Sequence, residues 1–454
     1  MKIPKVITAV AEKIVFPGRT LARCSDGVAL FTEGLIPGET AEIAVYKNKK
    51  TFREGDVIKV ISPSDKRVAP VCKAFGVCGG CSFQYLSYQD QLYHKHLYVS
   101  ELLNFLPLSV ESVIPSVESL YYRNKMEFSF FTTHDGKIDL GLHRKGSFYR
   151  YSSVPPCYIL DKDFLPVIDI IKQFVCDKGF SAYNKKTHLG FMRHLVLRKA
   201  QNNNELMVNI VTNAVTEGQD TGDIFKPLVE SLKPLCTSIY WTQNSKKSDA
   251  VISDTLTLLH GREYITEKLM VNNKEYFFKV SPFSFFQTNS KTTQLLYQEV
   301  LNALNLNNKE AVVMDLYAGT GTIGIMLSNY VKKIISVEHL PHAVEDARTN
   351  AALNGVENIE FYADTVEKWL LNNSVSIDYI VIDPPRSGVT PKIIDSIIKL
   401  NPKKIIYVSC NPSTLARDLQ MFMGISRYAV KSVKPVDMFP QTYHIETVAV
   451  LEFN

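Results

Sequence analysis

One cysteine near the carboxyl end of the chain lies where a thiol could react with a bound ligand. Cys410 follows the apolar run 405–408, which predicts a buried strand, and Asn411-Pro412 ends that strand at once. In open α/β sheets, ligands bind at the carboxyl ends of the strands. A lone cysteine is more often a small buried residue than a nucleophile. The choice between the two roles therefore depends on the residues upstream.

A glycine-containing segment indicates a cofactor site. DLYAGTGT (315–322) closes an apolar strand and opens a predicted helix. Its two glycines let a ligand approach the backbone, and the start of the helix offers free amides. Glu338 ends the next predicted strand, where a carboxylate can accept hydrogen bonds from both hydroxyls of a ribose. These features fit either a nicotinamide dinucleotide or S-adenosylmethionine.

Further carboxylates decide between the two cofactors. Asp364 follows the third strand of this region, and Asp383-Pro384-Pro385-Arg386 follows the fourth. Together with Asp315 they would line one strand edge and repel a pyrophosphate. They suit the ammonium, sulfonium and adenine amino groups of S-adenosylmethionine, which is the cofactor we expect.

A cluster of cysteines predicts a metal centre. Cys72, Cys78 and Cys81 are spaced C-x5-C-x2-C, with two glycines in the tight loop, and Cys157 after 154–156 is the candidate fourth ligand. Four cysteines suit either a [4Fe-4S] cluster or structural zinc. The spacing departs from the paired C-x2-C of zinc ribbons, which favours the iron–sulfur cluster.

Length and composition set the frame for these sites. The chain has 454 residues, a net charge of +5 and eight cysteines. At about 150 residues per domain, a chain of this length is predicted to contain three domains. No apolar run is long enough to cross a bilayer, and the first residues predict a strand instead of a signal peptide. We therefore expect a cytoplasmic protein without a membrane partner, its thiols reduced, with Cys24, Cys176 and Cys236 as ordinary buried or semi-buried residues.

The first predicted domain, 1–62, is a small β-barrel. Short β-like runs at 6–10, 27–32, 40–46 and 57–61 are separated by glycine and proline turns. A basic loop on such a barrel can contact a phosphate backbone, although a solvated hairpin tip explains it equally well. The basic residues in question are Lys47, Lys49, Lys50 and Arg53.

The second predicted domain, 63–265, contains a helix at 88–103 that is able to pack on the following domain, and then an antiparallel β domain. Its strands are expected at 125–131, 137–143, 195–197, 205–211 and 238–242. Basic and aromatic residues interleaved on a sheet suit single-stranded nucleic acid. These residues are Arg123, Lys125, Arg144, Lys145, Arg150, Arg193, His194 and Arg198, with Tyr121, Tyr122, Phe128, Phe148, Tyr149 and Phe191.

The third predicted domain, 266–454, alternates helices and strands. The strands are expected at 311–316, 333–337, 359–362, 379–382 and 404–408, which is typical of a doubly wound, mostly parallel sheet. This sheet brings DLYAGTGT, Glu338, Asp364, Asp383 and Cys410 to the carboxyl ends of its strands.

Over nearly its whole length the chain resembles the bacterial RNA uracil-5-methyltransferases of the RumA/RlmD type, which modify a uridine of the large-subunit ribosomal RNA. The resemblance begins with GRTLAR…DGVALFTEGLIPGE, which is similar to a TRAM domain, an OB-like RNA-binding barrel. It continues through the cysteine spacing, SPFSFFQTN (281–289), DLYAGTGTIG, DPPR, SCNPSTLARD and HIETVAVL (444–451). The last four motifs in this order are specific to the family.

The resemblance implies a TRAM barrel, a central β domain with an iron–sulfur cluster, and a Rossmann-like class I methyltransferase domain. It implies methyl transfer from S-adenosylmethionine to C5 of a specific uridine in 23S rRNA, with Cys410 as nucleophile and Glu446 as base. We expect a monomer, because the sequence contains no coiled-coil pattern and no long exposed apolar helix. The implied cofactor residues are Gln287, Tyr317, Thr322, Glu338, Asp364 and Asp383, and Thr322 stands where a related pattern has Asn. The implied [4Fe-4S] ligands are Cys72, Cys78, Cys81 and Cys157.

The implied chemistry explains these residue types. A thiolate that adds to C6 of uracil turns the ring into an enolate, which makes C5 nucleophilic. Cys410 acts only as a thiolate, so its site must lower its pKa or contain a base. Glu446 would accept the C5 proton after methyl transfer, and Phe285 or Phe286 would stack on a flipped base.

Three alternatives remain open at this point. A transfer-RNA uracil-5-methyltransferase would use the same chemistry. A non-catalytic RNA-binding or ribosome-assembly factor would keep the cofactor fold without its reaction, but Cys410, Glu446 and DPPR argue against this. Methylation of an amino group commonly uses an aromatic residue where this chain has Arg386.

Overall fold

The computed structural model describes residues 5–153, 156–214, 223–247, 254–305, 309–425 and 427–453. The chain divides into two compact units. Unit 1 holds the described parts of Met1–Gly76, Gly80–Ser119 and Asp378–Asn454, and unit 2 holds Val77–Gly79 and the described parts of Leu120–Ile377. The three-domain division at 62/63 and 265/266 stays a prediction.

The helices and strands are as follows, in chain order. The first are β1 (Lys5–Val15), β2 (Arg19–Cys24), β3 (Ala29–Thr32), β4 (Thr40–Asn48), β5 (Phe52–Ser62), α1 (Tyr88–Leu102), β6 (Lys125–Thr132), β7 (Ile138–His143), β8 (Tyr151–Ser153) and α2 (Phe164–Asp177). Next come β9 (Met192–Ala200), β10 (Glu205–Thr212), α3 (Lys226–Leu232), β11 (Ser238–Gln243), β12 (Thr255–Gly261), β13 (Ile265–Val271), β14 (Lys274–Val280) and α4 (Ser290–Leu304). The last are β15 (Val312–Leu316), α5 (Thr322–Leu327), a 3-10 turn (Ser328–Tyr330), β16 (Lys333–Glu338), α6 (Pro341–Leu353), β17 (Ile359–Ala363), α7 (Val366–Asn372), β18 (Tyr379–Ile382), α8 (Pro391–Leu400), β19 (Lys404–Ser409), α9 (Pro412–Ile425), β20 (Tyr428–Val436) and β21 (Glu446–Phe453).

The first strands of unit 1 form the predicted small barrel. They close in the order β1-β2-β3-β5-β4, and alternate residues of β1 and β4 point into a core of small and branched side chains. The strand β2 was not predicted. Its apolar residues Leu21 and Ala22 are flanked by arginines, and only the closure of the barrel shows that it pairs with both β1 and β3.

The carboxyl-terminal part of unit 1 is built on β18 to β21. β18 and β19 are parallel, β21 runs antiparallel to β19, and β20 pairs with β21 as the last hairpin. The helix α1 confirms the helix predicted at 88–103. It begins after Ser87, whose side chain accepts a hydrogen bond from the Asp90 amide. Its buried Lys95 donates to Asp437, which directly follows β20, at 2.6 Å.

Unit 2 contains a large sheet and a parallel βαβ region. The seven strands of the large sheet follow the order β12-β11-β10-β9-β6-β7-β8. The prediction of an antiparallel domain is wrong at one pair, because β10 and β11 are parallel and the chain passes through α3 between them. β15, β16 and β17 are parallel neighbours with α5 and α6 between them, as predicted. Among the described residues, no helix is long and apolar enough to cross a membrane.

Candidate active site

The glycine segment after β15 forms an open turn in unit 2. Tyr317, Gly319 and Gly321 all have positive φ, at 63°, 54° and 75°. A Cβ added at Gly321 would lie 3.0 Å from Ala347, so packing demands that glycine. A Cβ at Gly319 would meet only Phe285 at 4.0 Å, which leaves space above the backbone for a ligand. This open surface fits the predicted approach of S-adenosylmethionine.

Two carboxylates lie at the ends of the neighbouring strands. Glu338 is buried and accepts hydrogen bonds from the amides of Gly319 at 3.0 Å and Leu340 at 2.9 Å. It therefore ties the glycine turn to the end of β16. Asp364 follows β17, and its amide donates to the Glu338 carbonyl at 3.0 Å. Both side chains carry oxygens that accept hydrogen bonds from hydroxyl or amino groups, as a bound nucleoside requires.

The other cofactor residues of unit 2 have different surroundings. Gln287 precedes α4, and its carbonyl accepts a hydrogen bond from Asn124 at 3.2 Å. Thr322 is buried, and its hydroxyl lies 3.1 Å from the hydroxyl of Tyr297 on α4. Asp315 is buried and accepts from the Gly324 amide at 3.0 Å. Its carboxylate holds an amide in the first turn of α5, so it is wrong to count Asp315 among the carboxylates that line the ligand edge.

The two aromatic residues of the SPFSFFQTN segment differ in exposure. Phe286 is buried, with its ring centre 5.8 Å from that of Phe278, so it belongs to the core. Phe285 is 66% exposed beside Gly319. Of the two, only Phe285 is able to stack on a ligand.

Cys410 and Glu446 lie beside the last residue pair of two strands in unit 1. β19 and β21 pair antiparallel as far as Ser409 opposite Thr447, and Cys410 and Glu446 are the adjoining residues just beyond that pair. They are close enough for the charge of Glu446 to raise the pKa of the Cys410 thiol. Asp383 directly follows β18, the parallel neighbour of β19. The sheet thus gathers the thiol and two carboxylates at one edge of unit 1.

Burial raises the pKa values of all three groups, and like charges add to the effect at Cys410 and Glu446. Burial, helped by the charges of Glu446 and Asp383, raises the pKa of the Cys410 thiol to about 12, against a smaller opposing effect of Arg386. Burial raises the pKa of Asp383 to about 7 and holds the pKa of Glu446 well above its usual range, Asp383 adding to the latter effect. A negative charge on either carboxyl group therefore makes ionisation of the thiol less favourable, and the thiol keeps its proton at neutral pH.

This electrostatic strain predicts that Asp383→Asn stabilises the fold. The folded-state pKa of Asp383 lies above its unfolded value. The wild-type fold is therefore most stable, with respect to this group, below about pH 4, where Asp383 is protonated, and it loses this stability as the pH rises through about 7. At pH 8 we expect the variant to be more stable than the wild type by about 1–4 kcal/mol, with the difference vanishing near pH 4. Urea unfolding at both pH values measures this. Asp395→Asn, an exposed change on α8, should show no such pH dependence.

Sequence reasoning missed the residues that hold the DPPR loop. Asp418 is fully buried on α9 and accepts hydrogen bonds from the Tyr407 hydroxyl at 2.6 Å and the Val389 amide at 2.9 Å. A Cβ at Gly388 would lie 2.4 Å from the Asp418 carboxylate, so only glycine fits there. Asn411 also donates to the Arg386 carbonyl at 3.0 Å. The acidic residue that ends the SCNPSTLARD motif was the available sequence signal for this network.

The four predicted cluster ligands are cysteines of intermediate exposure that form no disulfide bond. Cys72 and Cys81 belong to unit 1, and Cys78 and Cys157 belong to unit 2. Val154 and Pro155, just before Cys157, lie outside the described residues. A set of thiols alone is chemically suited to an iron–sulfur cluster. The described residues contain no group of three or more His, Cys, Asp or Glu side chains that could hold a metal ion.

The other predicted cysteines and several predicted RNA contacts need correction. Cys24 and Cys236 are buried as expected, but Cys176 is exposed. Arg53 is buried and pairs with Asp26, so it holds the barrel together. Lys47, Lys49 and Lys50 are exposed, and Lys47 pairs with Glu54.

The basic strand β9 is also interior. Arg193, His194 and Arg198 are buried because β9 is a central strand of the large sheet, covered on both faces. Arg198, for example, donates to the carbonyl of Ser284. Tyr122 and Phe128 are buried too. The exposed members of the predicted RNA-binding set include Arg144, Lys145, Phe148, Tyr149 and Arg150.

Comparisons with known proteins agree with this architecture. Residues 251–453 match the model of the tRNA (Uracil-5-)-methyltransferase family. The chain is 42% identical over 460 residues to an uncharacterized RNA methyltransferase of Caldanaerobacter subterraneus subsp. tengcongensis, with 99% of each chain covered. It is 36% identical over 446 residues to one of Clostridium tetani, with 97% of this chain and 96% of the relative covered.

A solved structure extends the likeness to the fold. The Pyrococcus abyssi tRNA (uracil-54, C5)-methyltransferase, in complex with S-adenosyl-L-homocysteine, has a TM-score of 0.75 and 28% sequence identity, covering 98% of this chain and 99% of that one. Fold and comparisons define the class as S-adenosylmethionine-dependent methyltransferases. Within that class, the chain belongs to the RNA uracil-5-methyltransferase family.

Proposed function

We propose that the protein transfers a methyl group to C5 of a uridine in RNA through a covalent bond between Cys410 and C6 of the base. The observation that carries the proposal is the pairing of β19 with β21, because its last residue pair, Ser409 and Thr447, adjoins both Cys410 and Glu446. A nucleophile and a carboxylate on facing strand ends can act on the same ring, one at C6 and the other at C5.

The proposed role of each group follows its charge state. The Cys410 thiol must lose its proton before it adds to C6, and Asp383, with a pKa raised to about 7, is partly ionised at neutral pH and is suited to take it. The S–C6 bond forms as the C5–C6 double bond opens to an enolate. When bound, S-adenosylmethionine would supply an electrophilic methyl group to C5, and its sulfonium would leave as the neutral thioether S-adenosylhomocysteine.

Release of the product needs a second proton transfer. Glu446 takes the C5 proton, the C5–C6 double bond returns, and the S–C6 bond breaks to give back the thiolate. Because burial raises the pKa of Glu446, this carboxylate is a stronger base than an exposed one once it is ionised. That property suits removal of a carbon-bound proton.

We propose 23S rRNA as the substrate, on the resemblance to ribosomal RNA enzymes, with the protein acting as a monomer. Transfer RNA is the second candidate, and the Pyrococcus abyssi structure supports it because that enzyme is named for uracil 54 of tRNA. The experiment is to incubate the protein with S-adenosylmethionine and 5-fluorouridine-substituted 23S rRNA or tRNA. The fluorine at C5 cannot leave as a cation, so the true substrate should remain covalently bound on a denaturing gel. An adduct on a peptide other than that of Cys410, or on neither RNA, would contradict the proposal.

We also propose a [4Fe-4S] cluster on Cys72, Cys78, Cys81 and Cys157, on the basis of their thiol-only chemistry. The prediction is that anaerobically purified protein contains about four iron atoms per chain. Cys81→Ser should lose most of this iron and the visible absorption of the cluster. Cys176→Ser, an exposed cysteine outside the set, should keep both. Equal iron content in the two variants, or stoichiometric zinc in the wild type, would exclude the cluster.

A further inference from the structure

A groove at the edge of the large sheet of unit 2 has a lining that the methyl-transfer chemistry does not use. Its volume is about 830 Å³, and it lies between the end of β6, the β7–β8 hairpin and the segment 182–186. Sites for small ligands have volumes of about 300–1,000 Å³. The groove is therefore large enough for at least one nucleotide.

The charge of the groove is uniformly positive. Arg144, Arg150, Lys185 and Lys186 line it, and its described lining residues include no Asp or Glu. Such a concentration of cations without carboxylates favours an anionic ligand, because each added positive charge raises the local potential.

Aromatic rings lie beside these cations. Tyr151 stacks on Phe131 with ring centres 5.5 Å apart, and the Lys185 ammonium lies 4.9 Å from the Tyr151 ring centre. Tyr149 is 60% exposed, and the Lys186 ammonium lies 5.6 Å from its ring centre. Rings next to cations at an exposed surface form the combination that binds unpaired bases and their phosphates.

Main-chain hydrogen bonds hold the groove in shape. The Arg144 amide donates to the Arg150 carbonyl at 2.8 Å, and the Arg144 side chain donates to the Tyr151 carbonyl at 2.9 Å. On its other side, Arg144 forms a β-bridge with Cys78. Arg144 and Arg150 are thus presented by an ordered hairpin, which lowers the entropy cost of binding.

We propose that this groove binds a single-stranded segment of the RNA substrate, with a base against Tyr149 and phosphates near Arg150 and Lys186. The inference rests on the proposed function, which makes RNA the substrate. A single strand is favoured over a duplex because a duplex keeps its base faces stacked and so cannot offer them to Tyr149.

The test compares full-length variants for binding to a short fluorescein-labelled oligouridylate by anisotropy over a range of salt concentrations. The double variant Arg150→Ala/Lys186→Ala should bind about tenfold more weakly, and the slope of log K against log salt should become shallower by about 1.4, since each phosphate contact to a single strand contributes about 0.7. Tyr149→Ala should weaken binding about 5–10-fold without a change of slope. Lys137→Ala, an exposed cation of the neighbouring β6–β7 turn, should bind like the wild type.

Two results would overturn the inference. One is a double variant that binds with the affinity and salt slope of the wild type. The other is an unlabelled RNA duplex that competes as well as the single strand does. The 5-fluorouridine adduct on wild-type protein separates this inference from the proposed function. Loss of binding in the groove variants with no adduct on the wild type would reject the reaction and keep the groove. An adduct on the wild type with unchanged binding in the variants would do the opposite.

Discussion

Cys410→Ala should lower the rate of methyl transfer by about 10⁴-fold or more, because no neighbouring group replaces a nucleophile that forms a covalent bond. Cys410→Ser should be almost as inactive, since a hydroxyl yields far less of its anion than a thiol does. The measurement is single-turnover transfer of a tritiated methyl group from S-adenosylmethionine to unmodified 23S rRNA and tRNA transcripts.

The control for this prediction separates chemistry from binding. Cys410→Ala should bind the preferred transcript with an affinity within about twofold of the wild type, because a small side chain at a strand end contributes little to a large RNA interface. Cys176→Ala, which removes an exposed thiol on α2, should keep full activity. A Cys410→Ala protein that retains a tenth or more of wild-type activity would show that the reaction does not pass through this thiol.

Glu446→Gln should slow turnover by about 10²–10⁴-fold and trap the reaction after methyl transfer. The amide is close in shape to the carboxyl group but cannot take the C5 proton, so the S–C6 bond has no route to break. Methylated RNA should therefore accumulate covalently bound to the protein, even when the RNA contains natural uridine in place of 5-fluorouridine. A denaturing gel with RNA and methyl groups labelled separately detects this species.

Glu452→Gln is the matched control on the same strand. Glu452 lies near the other end of β21, is partly exposed and pairs with Lys404 at 3.1 Å. Its replacement should leave turnover unchanged and produce no adduct. If Glu446→Gln releases methylated RNA at the wild-type rate, then another group accepts the proton, and Asp383, whose charge already raises the pKa of Glu446, would be the next to test.

Much of the local structure follows from sequence patterns alone. The helix predicted at 88–103 is α1, and the alternation of strand and helix after 310 corresponds to β15 to β19. These elements are predictable because hydrophobic periodicity and turn residues act over a few positions. The same patterns set Cys410 directly after a buried strand, where the structure has it.

Exposure was the property that sequence patterns predicted least well. The basic residues of β9, Arg193, His194 and Arg198, lie on either side of an apolar run and were predicted to contact RNA, yet both faces of this strand are covered. Asp315 and Arg53 are further examples. Asp315 accepts from the Gly324 amide, which only the turn after β15 brings near, and Arg53 pairs with Asp26, which is distant in the chain. A polar side chain is buried where the fold supplies such a partner, and residue type does not reveal this.

The sequence by itself determined the chemical inventory of this protein: a thiol at a strand end, a glycine turn followed by carboxylates, and clustered cysteines. The tertiary structure decided which of these groups meet. Glu446 is 36 residues beyond Cys410 in the chain and comes near it only because β21 returns antiparallel to β19 and pairs with it as far as Ser409 and Thr447. A shift of that register by one residue would turn Glu446 to the other face of the sheet, because side chains alternate along a strand. Long-range strand pairing, which no local pattern encodes, therefore assembles the candidate active site.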